Sequence, residues 1–173
     1  MSKLCSLLLA AFALLPAACS TVTARADYVP GTDYSGYRTF AWLEPHILAS
    51  AEDHELVTPM LIDRIEAEVE RGLGALGITR VEREAADLLV RKQLSVREQL
   101  KVNDPYYSYD SMQVYEVGSL VIDLIDSTDE RLVWRGIGEA RILDLKTPEE
   151  RMARIQEVVD AILANFPPPA SAN

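Results

Sequence analysis

The chain has 173 residues, 27 acidic against 17 basic, for a formal net charge of −10, and 49% of its residues are hydrophobic. Such an acidic excess repels phosphate backbones, and no basic stripe offsets it, so nucleic-acid binding is disfavoured. Both cysteines, Cys5 and Cys19, fall within the first nineteen residues, which leaves the rest of the chain no thiol for a disulfide, a metal or a nucleophile.

At the amino terminus Lys3 precedes an apolar run from Leu7 to Leu15, and LLPAAC closes on Cys19. The run is far shorter than the roughly 20 residues a membrane-spanning helix needs, and Ala17 and Ala18 give a peptidase easy access. The segment resembles a bacterial lipoprotein signal, which implies cleavage before Cys19 and acylation of its thiol and new amino group. Pro16 stands three before the cysteine, where such signals usually carry the leucine found here at Leu15. A rival cut exists at Ala24-Arg25-Ala26, an A-x-A site that would release a soluble chain starting at Asp27. Removing residues 1–18 takes away one basic side chain, Lys3, and leaves 155 residues with a net charge of −11. That length suits one domain able to bury its own core.

Short strands are expected near residues 22–28 and 39–42, where β-branched and aromatic residues alternate with Pro30, Gly31 and Gly36. Residues 44–57 lack sustained periodicity and read as a loop. Thr58-Pro59 supplies a helix cap and a first-turn proline. Ile62, Ile65, Val69, Leu73 and Leu76 then mark one face of a helix ending at Gly77. A period of two from Leu88 to Arg97 predicts a long half-buried strand. Lys92 lands on its apolar side, either as an inward charge that blunts a sheet edge or as a lysine snorkelling from the end of the core.

Beyond a tyrosine-rich loop, Leu120, Ile122 and Leu124 line a strand stopped by Asp126-Ser127-Thr128-Asp129, and a second strand returns over 132–143 as a hairpin. On it Trp134, Gly136, Gly138, Ala140 and Ile142 share a face, with Arg135, Glu139 and Arg141 opposite. Glycines there suit close helix approach or a shallow groove. Thr147-Pro148-Glu149-Glu150 reads as a capping box opening a second helix, with Met152, Ile155, Val159, Ile162 and Phe166 on one face. Pro167 to Pro169 end it. One-sided helices between strands predict an α+β fold, a two-layer sandwich: an antiparallel-rich mixed sheet of four to five strands with two helices packed on one face. Its other face is left to solvent or a partner.

Chemical motifs are sparse. His46 and His54 with Glu52, Asp53 and Glu55 lack the third histidine or cysteine and the spacing of a zinc set, so no metal site and no cofactor are expected. Asp123 with Asp126 and Glu149 with Glu150 are carboxylate pairs explained by strand, turn and cap positions. No G-x-S-x-G elbow is present, and GLGALG at 72–77 lies at a helix end, not before a helix start. No catalytic residue is therefore assigned. The candidate interaction residues are Tyr106, Tyr107 and Tyr109, because tyrosine gives a large amphipathic contact at low entropic cost. Tyrosines folded back over their own sheet are the plainer alternative.

Four segments in order, DYSGYRTFAWL, ADLLVRKQLSVRE, VGSLVIDLIDSTDERLVWRG and ILANFPP, resemble the bacterial envelope proteins grouped as domain of unknown function 4136. The resemblance runs from about Asp27 to Pro168 and implies the fold and an envelope lipoprotein, with no activity attached. The expected organisation is a signal peptide at 1–18, one α+β lipoprotein domain at 19–168 and a disordered tail at 169–173. The expected role is a non-enzymatic binding or envelope-assembly module on the periplasmic side of the outer membrane, held through Cys19 and able to meet an envelope protein. Ser20, with no Asp at that position, fits outer-membrane sorting. Alternatives are a periplasmic hydrolase with scattered acidic residues and a soluble secreted binder cut after Ala26.

Overall fold

The computed structural model describes residues 22–43, 47–48, 58–102, 112–142, 145 and 147–168. In chain order these form β1 (Thr23–Tyr28), β2 (Thr39–Trp42), β3 (Ile47–Leu48), α1 (Pro59–Ala75), β4 (Thr79–Arg80), β5 (Leu88–Val102), β6 (Met112–Asp126), β7 (Leu132–Arg141) and α2 (Pro148–Leu163). All seven strands join one sheet in the order β1-β7-β6-β5-β2-β4, with β3 also on β5. The sheet has more strands than the four to five expected. The two-residue strands β3 and β4 carry too few side chains for any periodicity to show. The sheet is mixed as expected: β1, β7, β6 and β5 pair antiparallel, and β2 and β3 lie parallel to β5.

Both helices begin where their caps place them. Thr58 Oγ1 accepts from the Leu61 N–H, and Thr147 with Glu150 forms the reciprocal box. Their buried residues are Ile65, Val69, Gly72 and Leu73 on α1 and Val158, Val159, Ile162 and Leu163 on α2. Two residues assigned to the core faces, Leu76 and Met152, are exposed. They occupy the outer turn of each helix, past the ground the opposing layer covers.

The glycines on β7 explain how α2 reaches the sheet. A Cβ on Gly138 would lie 2.8 Å from Ile162 Cδ1 and from Val158 Cγ1, and one on Gly136 would overlap Ile162 and the Trp134 ring. Gly72 plays the same part between the helices, because a Cβ there would overlap Leu163. Close packing, not a groove, is the use made of Gly136 and Gly138.

Lys92 corrects the sequence reading. Strand β5 is central, not an edge, and Lys92 is 0% exposed, so it neither blunts an edge nor snorkels. Its Nζ lies 2.6 Å from Glu66 Oε1 on α1 and 4.5 Å from the centroid of the Trp42 ring. Trp42 Nε1 donates to Glu70 Oε1 at 3.0 Å, and Arg80 donates to the same oxygen at 2.7 Å. A polar seam thus runs beneath α1 beside the apolar core.

The helix-free face is charged. Asp123 is buried and receives both guanidinium groups flanking it: Arg91 Nη2 at 2.6 Å and Arg135 Nε at 2.6 Å. Arg97 and Glu139 pair at 2.9 Å farther along. Near β2, Asp87 Oδ2 accepts from the N–H groups of Arg38 and Thr39 and from the Thr39 hydroxyl, each at 2.9 Å. These donors, led by the Arg38 N–H, hold the Asp87 carboxyl below its usual range.

Two predictions follow from these contacts. Glu66→Ala leaves a fully buried lysine and is expected to cost about 3 kcal/mol, whereas Lys92→Met leaves a glutamate that reaches water and is expected to cost no more than about 1 kcal/mol; urea unfolding of both variants measures the asymmetry. A depressed Asp87 stabilises the fold fully above its unfolded value near about 3.9 and less as pH falls through its folded value. Asp87→Asn is therefore expected to lose about 2 kcal/mol at neutral pH and to flatten the decline in stability between pH ~5 and ~2, read by urea melts across that range.

Candidate functional site

The strand register brings several features to one end of the sheet. Thr23 at the start of β1 faces Glu139 near the end of β7, and Arg141 faces Val117, which faces Arg97. Beyond that row β5 and β6 continue as a two-stranded arm from the Glu98–Glu116 pair to Val102–Met112. Five further pairs at about 3.4 Å per residue extend it by about 17 Å. The chain preceding β1 therefore leaves the sheet on the side toward which the arm points.

At the same end lies a cleft of about 300 Å³. Its floor is the helix-facing row of the sheet, with Leu94 and Val96 on β5, Gly118 and Leu120 on β6, and Ala140 and Ile142 on or just after β7. Its walls come from the two helices, Leu61 and Ile65 from the first two turns of α1 and Ile155 and Val158 from the middle of α2. The cleft exists because the helices meet tightly at Gly72 and at the β7 glycines, well along their length, while the sheet floor runs on beneath their starts. Gly118 keeps the floor low. Ile142 Cγ2 already lies 3.2 Å from where a Cβ on Gly118 would stand.

Ser95 and Ser119 on the floor strands also line the cleft. Arg151 and Arg154 border the cleft from α2, and Glu116 borders it from β6. Arg151 Nη1 donates to the Leu145 carbonyl at 3.3 Å, and Arg154 pairs with Glu157 at 3.3 Å. Met60 and Met152 are exposed, and Met152 lines a separate small hollow between the helices with Arg64, Ala67 and Glu68.

A second hollow of about 490 Å³ lies at the opposite end, among Tyr28, Tyr34, Tyr37 and Phe166. Its hydroxyls serve the fold. Tyr34 donates to the Val133 carbonyl at 2.7 Å, and Tyr37 donates to Asp126 Oδ2 at 2.8 Å, an interaction that lowers the Asp126 pKa. Burial, and then that same bond, raises the Tyr37 pKa. Tyr34 and Trp134 each meet Phe166 edge to face, which fixes the end of α2 on the sheet.

Of the carboxylates singled out in the sequence, Asp123 is held by two arginines on the helix-free face, Asp126 serves Tyr37 and the Thr128 N–H, and Glu150 closes the α2 cap. The structure gives Asp123 and Asp126 separate partners and does not build them into one site. Among the described residues no group of three His, Cys, Asp or Glu side chains is placed to hold a metal ion, and no helix is long and apolar enough to cross a membrane. Cys19, His46, His54, Tyr106, Tyr107 and Tyr109 lie outside the described residues. Sequence reasoning placed Ile65, Leu94, Val96, Leu120, Ala140, Ile142 and Ile155 on apolar faces. Nothing in the linear pattern marks these faces as partly uncovered.

The family described as Domain of unknown function (DUF4136) matches residues 24–168. The chain belongs to this family. Three solved structures share the DUF4136 chain's fold at low identity. A PDZ domain protein from Parabacteroides distasonis superposes with a TM-score of 0.55 at 16% identity over 84% of this chain and 36% of that one, so the chain spans little more than a third of that protein. A DUF4136 family protein from Bacteroides thetaiotaomicron gives 0.53 at 13% identity, over 85% of this chain and 95% of its own. The PelC dodecamer from Paraburkholderia phytofirmans gives 0.51 at 15% identity, over 83% and 95%. No curated protein sequence is significantly similar to the chain.

Proposed function

We propose that this DUF4136 chain is a non-enzymatic binding module of the bacterial envelope, acylated at Cys19 and held on the periplasmic side of the outer membrane. One observation carries the reading: the sheet begins at Thr23, four residues after Cys19, at the end where the apolar cleft opens. Four residues span at most about 14 Å, so an anchor at Cys19 presents the cleft and the β5–β6 arm to the membrane surface. The rival cut after Ala26 fits the fold poorly. It would remove Thr23 to Ala26 from β1, although Ala24 and Ala26 pack against the core and the strand pairs along its whole length with β7.

The arm also carries the segment containing Tyr106, Tyr107 and Tyr109, which we assign to contact with a neighbouring envelope protein. No cofactor or metal takes part in this reading. The hydrolase alternative gains no support from Asp123, whose two oxygens are already occupied by arginine donors.

The intact mass of the mature protein extracted from membranes tests the anchor. A chain beginning at Cys19 with added acyl groups is expected, together with loss of membrane association in Cys19→Ala; an unmodified chain beginning at Asp27 would remove the anchor from the proposal. Replacing Tyr106, Tyr107 and Tyr109 together by Ala is expected to weaken a specific crosslink in intact cells with the melting temperature unchanged. An unaltered crosslink would take the loop out of the binding surface.

A further inference from the structure

The cleft between the helix starts has the chemistry of a lipid site. Its lining is aliphatic, its volume of about 300 Å³ sits at the lower end of the roughly 300–1,000 Å³ of small-molecule pockets, and it is open along one side. Those features suit a flexible chain of methylenes better than a compact polar ligand. Its surface is mostly apolar, and its two cationic side chains, Arg151 and Arg154, both come from α2, an arrangement that suits an amphiphile. Arg151 and Arg154, one helical turn apart, offer guanidinium donors of the kind that bind phosphate with paired hydrogen bonds.

Position adds a second and independent argument. Thr23, the first residue of β1, pairs with Glu139, next in sequence to Ala140 in the cleft floor. An anchored domain thus turns the apolar cleft toward the bilayer, and an aliphatic opening at a domain surface is the kind of patch that marks a site for an apolar partner.

We infer that the cleft takes one acyl chain of a membrane glycerophospholipid, with the lipid phosphate at Arg151 and Arg154. The inference deepens the membrane-tethered reading and rests on it for the direction from which the lipid arrives. Only non-covalent contacts are involved. Leu61, Ile65, Leu94, Val96, Leu120 and Ile155 surround the chain.

The test uses the mature protein extracted from membranes in mild detergent, mixed with palmitoyl-oleoyl phosphatidylethanolamine and examined twice from one sample. Denaturing mass spectrometry reports covalent acylation; native mass spectrometry reports bound lipid. The expected result is one phospholipid per chain, lost in Val96→Trp, which fills the floor, and bound about tenfold more weakly when Arg151→Glu and Arg154→Glu are combined. Ile155→Trp, reaching into the cleft from the helix wall, replaces Val96→Trp if circular dichroism shows the latter unfolded. Absence of bound phospholipid on the wild-type chain, or equal binding by a folded cleft-filling variant, would overturn the inference. So would binding by Cys19→Ala but not by the acylated chain, because the protein's own acyl group would then be the occupant. A chain that lacks acylation yet binds phospholipid would remove the tether and leave the lipid site standing, so the two failures are distinguishable.

Discussion

The architecture depends on how closely α2 can approach β7. Gly136 and Gly138 present bare backbone to Ile162 and Val158, and Gly72 does the same for Leu163 across the helix pair. Side chains at these positions would lift α2 from the sheet, and overpacking of that kind costs about 1–3 kcal/mol. Everything above the sheet follows from this seating. Trp134, Val159 and Ile162 become fully buried, Phe166 closes the far end against Trp134 and Tyr34, and the cleft is left at the opposite end of the sheet.

The two faces of the sheet answer burial differently. On the helix side one charge, Lys92, is taken fully inside and matched by Glu66 and the face of Trp42. A buried ion needs such partners because desolvation otherwise outweighs any Coulombic gain. On the open side Asp123 is buried by the arginines that neutralise it, so three central strands are crossed by one ionic bridge while the guanidinium groups keep contact with water. A small apolar cluster of Ala41, Ala86, Leu89 and Ile125 covers one end of that face. Neither arrangement leaves a carboxylate free for proton transfer, and that is why the aliphatic cleft and not a charged cluster carries the functional reading.

The cleft is a consequence of where the helices are seated. They close on each other at Gly72 and on β7 at Gly136 and Gly138, and the stretch of sheet beyond those contacts is left partly uncovered. An uncovered aliphatic floor is unfavourable in water unless something apolar comes to it.

Much of this was legible beforehand for local reasons. Thr58-Pro59 and Thr147-Pro148-Glu149-Glu150 determine where helices start through bonds made within a single turn, and alternation along 88–97 and 120–126 determines which face each residue takes, since strand geometry has a period of two. The lipoprotein-like amino terminus and the segments typical of DUF4136 are likewise properties of the linear chain. Three matters were decided only in three dimensions. Whether β5 is central or an edge depends on β2 and β3 arriving parallel to it from earlier in the chain, and with that the role of Lys92 was settled. Asp123 met Arg91 and Arg135 because two antiparallel registers aligned. The cleft has no local signature, because it is made from five elements whose aliphatic residues each look like ordinary core until the packing of α2 on its glycines shows which part of the floor stays open.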